Sequence, residues 1–190
     1  MDYKVFGCKT NKYFAEKWLV HPYLSDKSGY FIASCVVTDK AKAKWVKHAK
    51  KMLPKIRENE KLYLSGCGNI RDGIVDPRFF EVYDELKEFQ DIIEILPEDP
   101  DDFRVTVEEK KEMMKTKIRS LRKIAGKSLF TRKYMVIQTG CDNFCTFCLT
   151  VQARGRHKWR PMEEIVEEIN TFARGGGKEV VFTGINLGSW

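Results

Sequence analysis

The sequence predicts an α/β fold that begins with an open parallel sheet, and two observations support this prediction. A short apolar strand followed by a cysteine occurs three times, and Cys8, Cys35 and Cys67 are 27 and 32 residues apart, which suits one βα unit each. Apolar residues between the second and third strands recur at three- and four-residue steps, the pattern of an amphipathic helix. Strands that alternate with helices favour parallel pairing.

The three predicted strands are short and apolar, and each leads into a cysteine. They span residues 3–7, 30–34 and 62–66. A helix-like stretch is expected after each cysteine. The stretch between the second and third strands has a continuous apolar stripe, and Pro54 is expected to bend this helix or end it early. The stripe consists of Trp45, Val46, Ala49, Met52, Leu53 and Ile56.

A change in composition divides the chain. We expect a first domain over residues 1–96, a linker over residues 97–132 and a second domain over residues 133–190. The linker contains an acidic, proline-bearing run and then a polar, basic stretch that can include a helix. The domain boundary therefore falls in this segment.

The second domain starts with a predicted strand at 134–138 that leads into a cysteine-rich loop. Pro161 then opens a predicted helix, which the glycines at 175–177 end. A strand of the buried type is expected at 179–183. One face of the helix is apolar and consists of Met162, Ile165, Val166, Ile169, Phe172 and Ala173.

Composition excludes several classes of protein. Hydrophobic residues make up 43% and charged residues 32% of the 190 positions, which argues against disorder. No apolar run approaches the ~20 residues that span a bilayer, and the N-terminus lacks the apolar run of a signal peptide. A cytoplasmic location with reduced thiols is therefore expected, without a membrane partner.

The positive charge of the chain is concentrated in two blocks. The formal net charge is +7, and residues 40–57 and 115–133 each contain eight basic residues and no acidic one. Such blocks attract polyanions through the release of counterions, so RNA or DNA is a candidate partner. Solvated helix faces explain the same pattern equally well.

The topology would bring three distant cysteines together. Right-handed crossovers place the C-terminal ends of parallel strands at one edge of the sheet, where open α/β sheets bind their ligands. Cys8, Cys35 and Cys67 are therefore expected to converge, although any one of them taken alone could be a buried structural thiol.

A second set of cysteines lies in one loop. Cys141, Cys145 and Cys148 are separated by three and then two residues. Three thiolates can hold three irons of a four-iron cluster and leave the fourth iron open to a substrate or cofactor. A zinc site completed by His157 and a redox pair of Cys145 and Cys148 are alternatives. The redox pair leaves Cys141 unexplained.

These residues resemble the radical S-adenosylmethionine (SAM) enzymes, whose signature is CxxxCxxC with an aromatic residue, here Phe147, before the last cysteine. The wider pattern is similar to the methylthiotransferase branch of that family. The matching elements are Gly7-Cys8-Lys9-Thr10-Asn11, Ser34-Cys35-Val36-Val37-Thr38, Gly66-Cys67, Arg154-Gly155, Arg160-Pro161 and the segment 178–188.

The resemblance implies a methylthiotransferase N-terminal domain followed by the start of a radical SAM β/α partial barrel. It implies that Cys141, Cys145 and Cys148 hold a [4Fe–4S] cluster that binds SAM and cleaves it to a 5′-deoxyadenosyl radical. It further implies that Cys8, Cys35 and Cys67 hold a second [4Fe–4S] cluster, which carries the sulfur that is inserted.

Five further residues would contact the cofactor or substrate by the same resemblance. Phe147 would shield the cluster or lie near the adenine, and Thr183 and Gly184 would contact the SAM amino group. Arg154, like Arg160, would bind the SAM carboxylate or a substrate phosphate. Ordinary packing for Phe147 and a plain turn for Gly184 remain alternatives, and His157 is expected to be an exposed loop residue.

The resemblance also implies the substrate and partners. The segment 183–188 is most similar to members that act on threonylcarbamoyladenosine in tRNA, next to the anticodon. Members that act on isopentenyladenosine or on a ribosomal protein are alternatives, as is a non-catalytic iron–sulfur or RNA-binding module. A flavodoxin- or ferredoxin-like electron donor and a sulfur donor are implied.

The length differs from the family pattern, because a radical SAM barrel has about six βα units and residues 133–190 hold one unit and a second strand. We therefore expect a fragment, an interrupted gene or a stop codon that is read as glycine.

Overall fold

The structure is a computed structural model that describes residues 1–103 and 132–190. The helix expected in the basic part of the linker, and most of the second basic block, lie outside the described residues. The strands are β1 Asp2–Val5, β2 Gly29–Ser34, β3 Lys61–Gly66, β4 Ile70–Arg71, β5 Ile74–Val75, β6 Ile93–Ile95, β7 Lys133–Val136, β8 Gln138–Thr139, β9 Lys158–Trp159 and β10 Val180–Thr183.

Helices alternate with the longer strands. The α-helices are α1 Lys9–Leu19, α2 Pro22–Ser25, α3 Asp39–Met52, α4 Phe79–Val82, α5 Leu149–Arg154 and α6 Met162–Arg174. Short 3-10 helices cover Leu53–Lys55, Asp84–Phe89, Pro100–Asp102 and Leu187–Ser189. In the described ranges no helix combines the length and apolar character that crossing a membrane requires.

The N-terminal sheet is parallel, as the sequence predicts, and its strand order is β1-β2-β3-β6. Its two faces carry different helices. Alternation along β2 sends Phe31 towards α1 and Ile32 towards α3, because successive side chains of a strand point to opposite faces. Trp45 of α3 and Trp18 of α1 are fully buried, one on each side. The sheet is thus covered by helices on both faces.

The predicted stripe of α3 is confirmed. Trp45, Val46 and Ala49 are buried against the sheet. Thr38 caps the start of the helix by accepting a hydrogen bond from the backbone N–H of Ala41 at 3.1 Å, which satisfies one free donor of the first turn. Pro54 lies in the 3-10 helix that follows, so the α-helix ends where the proline was expected to interrupt it.

The segment after Cys67 differs from the prediction of a helix. A two-residue hairpin joins β4 and β5, with Asp72 and Gly73 at φ values of 51° and 81°. A two-residue turn with positive φ at both positions matches the twist of the strands it joins. The strand β6 was not predicted at all, because only three residues form it.

The second half consists of a parallel pair, β7 and β10, connected by α6. The predicted strand at 134–138 is divided at Ile137, since β8 turns away and pairs antiparallel with β9. Helix α1 packs against β7 as well as the first sheet, so one helix joins both halves. Of the residues of α6, all of which the structure describes, only Ile165 is buried. Phe182 of β10 is 48% exposed. The burial predicted for this helix face and this strand is therefore largely absent.

The first residues of the predicted linker pack against the first domain. The indole N–H of Trp18 donates to the carbonyl oxygens of Pro97 and Glu98 at 2.9 and 3.2 Å, and Ser65 donates to Pro97 at 2.8 Å. The division into domains at 96 and 132 itself stays a prediction.

Candidate functional site

Three cysteines lie at the C-terminal edge of the first sheet. Cys35 and Cys67 directly follow β2 and β3 and are buried, whereas Cys8 lies between β1 and α1 and is exposed. Cys35 and Cys67 pack in one buried cluster, and the charge of Cys8 acts on the pKa of Cys35. The structure therefore brings together the three residues that the topology was expected to gather.

Two glycines allow this close approach. Gly7 and Gly66 precede Cys8 and Cys67, and their φ values are +93° and +98°, a region that disfavours other residues. A Cβ at Gly7 would lie 2.8 Å from the Sγ of Cys35, and one at Gly66 would lie 2.5 Å from the carbonyl oxygen of Ser34. The chain can turn at the sheet edge because neither position carries a side chain.

Asn11 joins the segments that carry the cysteines. Its side-chain amide donates to the carbonyl oxygen of Phe6 at 2.8 Å and also to that of Ser34. Its Oδ1 accepts a long hydrogen bond of 3.5 Å from Nη2 of Arg154. Asn11 is buried, and one side chain thus connects the ends of β1 and β2 with α5.

The two buried thiols have opposite pKa shifts. The hydrogen bond from Cys67 lowers the pKa of Cys35, and a backbone N–H at Val37 acts in the same direction against the effect of burial. The hydrogen bond to Cys35 and burial both raise the pKa of Cys67.

The second cysteine set lies in the loop between β8 and α5. Cys141 is buried, Cys145 is exposed and Cys148 is half-buried. The backbone N–H of Cys141 donates to Gly155 at 3.1 Å, and that of Cys148 donates to Cys145 at 3.0 Å. Helix α5 begins directly after Cys148.

Gln138 holds this loop against the end of β10, and the sequence analysis did not select it as a site residue. Its Oε1 accepts from the backbone N–H groups of Ile185 and Asn186, both at 2.8 Å. Its Nε2 donates to the carbonyl oxygen of Gly140 at 2.6 Å. The burial of Gln138, which only the structure shows, is what marks it as a residue that positions the loop.

The residues at the end of β10 adjoin both cysteine sets. Thr183 is buried, and its Oγ1 lies 3.3 Å from that of Thr10, two residues after Cys8. A Cβ at Gly184 would lie 2.8 Å from the Oε1 of Gln138, so this glycine serves close packing and not only a turn. Asn186 donates to the Sγ of Cys141 at 3.8 Å.

The remaining predicted residues have varied environments. Phe147 is 86% exposed beside its cysteines, so ordinary core packing does not explain it. Arg160 donates to Tyr13 and to Glu168 at 2.9 Å, which engages it with the protein. His157 is half-buried, and its Nδ1 lies 3.3 Å from Gln138 and 3.0 Å from Ser189. The contacts predicted for Phe147 and Arg160 stay predictions, whereas His157 is less exposed than predicted because it packs against Gln138 and Ser189.

Arg154 is only 3% exposed and lies beside the first cysteine set. Its Nη2 donates to Glu98 at 2.5 Å. Burial acts to lower the pKa of Arg154, but the negative charges of Glu98, Cys67 and Cys8 outweigh it and raise the pKa. The first cysteine set therefore acts on the charge of Arg154, and the contact with SAM or substrate that the resemblance implied stays a prediction.

Within residues 1–103 and 132–190, no three His, Cys, Asp or Glu side chains are arranged to hold a metal ion. The donor set nevertheless fits an anionic iron–sulfur group at the first sheet edge. Asn69, two residues after Cys67, and Arg154 both have buried N–H groups without a hydrogen-bond partner among the described residues. Thiolates bound to iron carry negative charge, and unpaired buried donors stabilise such charge.

Comparisons with known proteins agree with this chemistry. Residues 135–186 match the radical SAM superfamily. The chain is 30% identical over 214 residues to the threonylcarbamoyladenosine tRNA methylthiotransferase MtaB of Thermotoga maritima. The aligned region covers 98% of the chain and 44% of that relative. It is 27% identical over 204 residues to a tRNA-2-methylthio-N(6)-dimethylallyladenosine synthase of Thermodesulfovibrio yellowstonii, which covers 98% of the chain and 45% of that relative.

A shorter match has a higher sequence identity. The tRNA-2-methylthio-N(6)-dimethylallyladenosine synthase of Thermotoga petrophila is 46% identical over 57 residues, 30% of this chain and 13% of that relative. The chain spans less than half the length of these curated relatives. On its motifs and these matches, the chain is similar to radical SAM methylthiotransferases over nearly its whole length.

Proposed function

We propose that these residues carry the two cysteine sites of a radical SAM methylthiotransferase that acts on tRNA. The observation that carries the proposal is the position of Cys8, Cys35 and Cys67 at one sheet edge, next to a helix that begins directly after Cys148. Helix α5 connects the two cysteine sets, because Ala153 near its end packs in one buried cluster with Cys35 and Cys67.

The residues that would hold the cofactors follow from this arrangement. Cys141, Cys145 and Cys148 would hold the [4Fe–4S] cluster that binds SAM, and the three strand-end cysteines would hold the second. When bound, the first cluster with SAM supplies one-electron cleavage of a sulfonium bond and thus a means of attacking an unreactive C–H bond.

The chain's own residues position these groups. Gln138 holds the loop that starts at Gly140 against the backbone of Ile185 and Asn186, so the cysteine loop and the end of β10 keep a fixed separation. Thr183 and Gly184 would receive the SAM amino group at this end. Phe147, exposed beside the cysteines, would cover the bound cofactor and exclude water.

The substrate that we propose is threonylcarbamoyladenosine in tRNA, next to the anticodon. A relative named for that nucleoside matches 98% of the chain at 30% identity, and relatives named for dimethylallyladenosine match it at 27% and below over similar lengths. The exposed lysines of α3 support an RNA partner, since they present charge suited to phosphates. They are Lys40, Lys44, Lys47, Lys50 and Lys51. A sulfur donor, an electron donor and a cytoplasmic location stay predictions.

Anaerobic reconstitution with iron and sulfide tests the two sites. We expect about eight irons per chain, and about four in a C8A/C35A/C67A or a C141A/C145A/C148A variant. Only the first variant should still bind SAM, as measured by isothermal titration. Zinc in place of iron, or unchanged iron content in both triple variants, would contradict the proposal.

The reaction is tested separately. Dithionite added to the reconstituted protein with SAM should release 5′-deoxyadenosine, whereas clusters without this product would indicate an iron–sulfur binding module. Mass spectrometry of tRNA nucleosides from cells with and without the gene identifies the substrate. An unchanged methylthio profile would refute the tRNA assignment, and loss of the dimethylallyl nucleoside would refute only the choice of adenosine.

A further inference from the structure

The guanidinium of Arg154 is a charged group buried in the described interior. Its side chain is almost completely buried, and Glu98, which receives its Nη2 hydrogen bond at 2.5 Å, is only 6% exposed. Arginine has five N–H donors. Its Nε and Nη1 are buried without a hydrogen-bond partner among the described residues.

One carboxylate does not compensate for this burial. A buried ion pair is favourable only when further hydrogen bonds satisfy the remaining donors, and here two donor atoms of Arg154 are left over. The guanidinium lies at the first sheet edge, because Asn11 accepts from its Nη2 and donates to Ser34, the residue before Cys35. Ala153, the preceding residue of α5, packs in one buried cluster with Cys35 and Cys67. The environment of Arg154 is therefore complete only when these thiols carry an anionic group.

We infer that Arg154 provides the counter-charge for the cluster held by Cys8, Cys35 and Cys67, and that Glu98 is the residue that positions it. This inference rests on the proposed function. The reduction potential of a thiolate-bound cluster depends on its net charge and on hydrogen bonds to its sulfurs. A cation with free N–H groups stabilises the reduced, more negative state and so raises the potential.

Arg154 also connects the two sites through one short helix. Helix α5 begins directly after Cys148 and ends at Arg154, so the counter-charge of one cluster is six residues from a ligand of the other. The hairpin after Cys67 fixes the helix from the other side, because the backbone N–H groups of Asp72 and Gly73 donate to Gln152 and Ala153 at 2.9 and 2.8 Å.

The test is a reduction titration with dithionite and mediators, followed by electron paramagnetic resonance. It uses the full chain with C141A/C145A/C148A, so that only the first cysteine set holds a cluster. Arg154→Met removes the charge at similar volume, Arg154→Lys keeps it, and Arg174→Met at the exposed end of α6 is the matched control.

At the midpoint potential of the parent, we expect R154M to have a ratio of reduced to oxidised cluster about tenfold lower. This change corresponds to a midpoint potential that is lower by about 59 mV for one electron. R154K should recover most of this shift, and R174M should leave the potential unchanged. A structural role alone would change cluster content without changing the potential.

The E98Q/R154M double variant is the alternative test if R154M does not fold, because removing both charges leaves no unpaired buried charge. Its potential should also be lower than the parent's. A parent chain that assembles no cluster would refute the proposed function. A cluster whose potential is the same in the parent and in R154M, or in the double variant, would refute only the role of Arg154.

Discussion

Asn11→Ala is expected to destabilise the chain, because one buried amide holds the ends of two strands. The amide donates to the carbonyl oxygens of Phe6 and Ser34. Alanine would remove both donors and leave both acceptors facing protein. Each acceptor that loses its partner in a buried position costs about 1–3 kcal/mol, and the two together give about 3 kcal/mol. For a chain of this size that corresponds to a fall of about 6–12 °C in Tm.

The assay is urea denaturation of the reduced, metal-free chain, followed by circular dichroism and tryptophan fluorescence. Asn170→Ala is the matched control, because Asn170 is exposed on α6 and such changes stay within about 0.5 kcal/mol. An N11A variant within about 0.5 kcal/mol of the parent, at the same denaturant slope, would refute the reasoning.

Three other perturbations follow from the same structure. G66A should cost clearly more stability than G176A by urea denaturation, since both glycines have positive φ but only Gly66 has backbone atoms within contact of an added Cβ; equal costs would show that the contact does not matter. Q138L should destabilise the chain by about 2 kcal/mol in the same assay, because the N–H groups that donate to Gln138 lose their acceptor; an unchanged midpoint would contradict this. The pKa of His48 should lie below its usual value in an NMR titration, because partial burial and Lys4, Lys51 and Lys55 disfavour its charged form. The folded chain then binds fewer protons than the unfolded chain, so this contribution to stability is lost as pH falls below about 6.5, and K51M should raise the pKa; a normal pKa would refute this.

The elements that the sequence predicted well are those with a strong local pattern. The stripe of α3 and the three apolar strands follow from periodicity, and Pro54 ends its helix for a reason local to its ring. The hairpin after Cys67 also had a local signal, because an Asp-Gly pair such as Asp72-Gly73 is typical of a two-residue turn. The prediction of a helix there rested on the repeated βα theme and did not use this signal.

Elements without a local pattern were missed. Three residues of β6 are too few to show a period, and Leu62 to Leu64 of β3 supply its partners. Phe182 was predicted to be buried because it is hydrophobic, but it is 48% exposed. Hydrophobicity favours burial, but it does not show whether other parts of the described chain pack over the residue. The cofactor roles of the six cysteines, Phe147, Thr183, Gly184 and Arg154 stay predictions for the experiments above.

By itself, the sequence determined the cysteine spacing, the parallel α/β class and the resemblance to a family, because each depends on residues that are close in the chain or on matching motifs. Only the tertiary structure decided which polar groups are buried together. Arg154 and Glu98 are 56 residues apart, and nothing in the sequence indicates that they form a buried pair. Their importance comes from desolvation, which depends on all the atoms packed around a group and on no single stretch of chain.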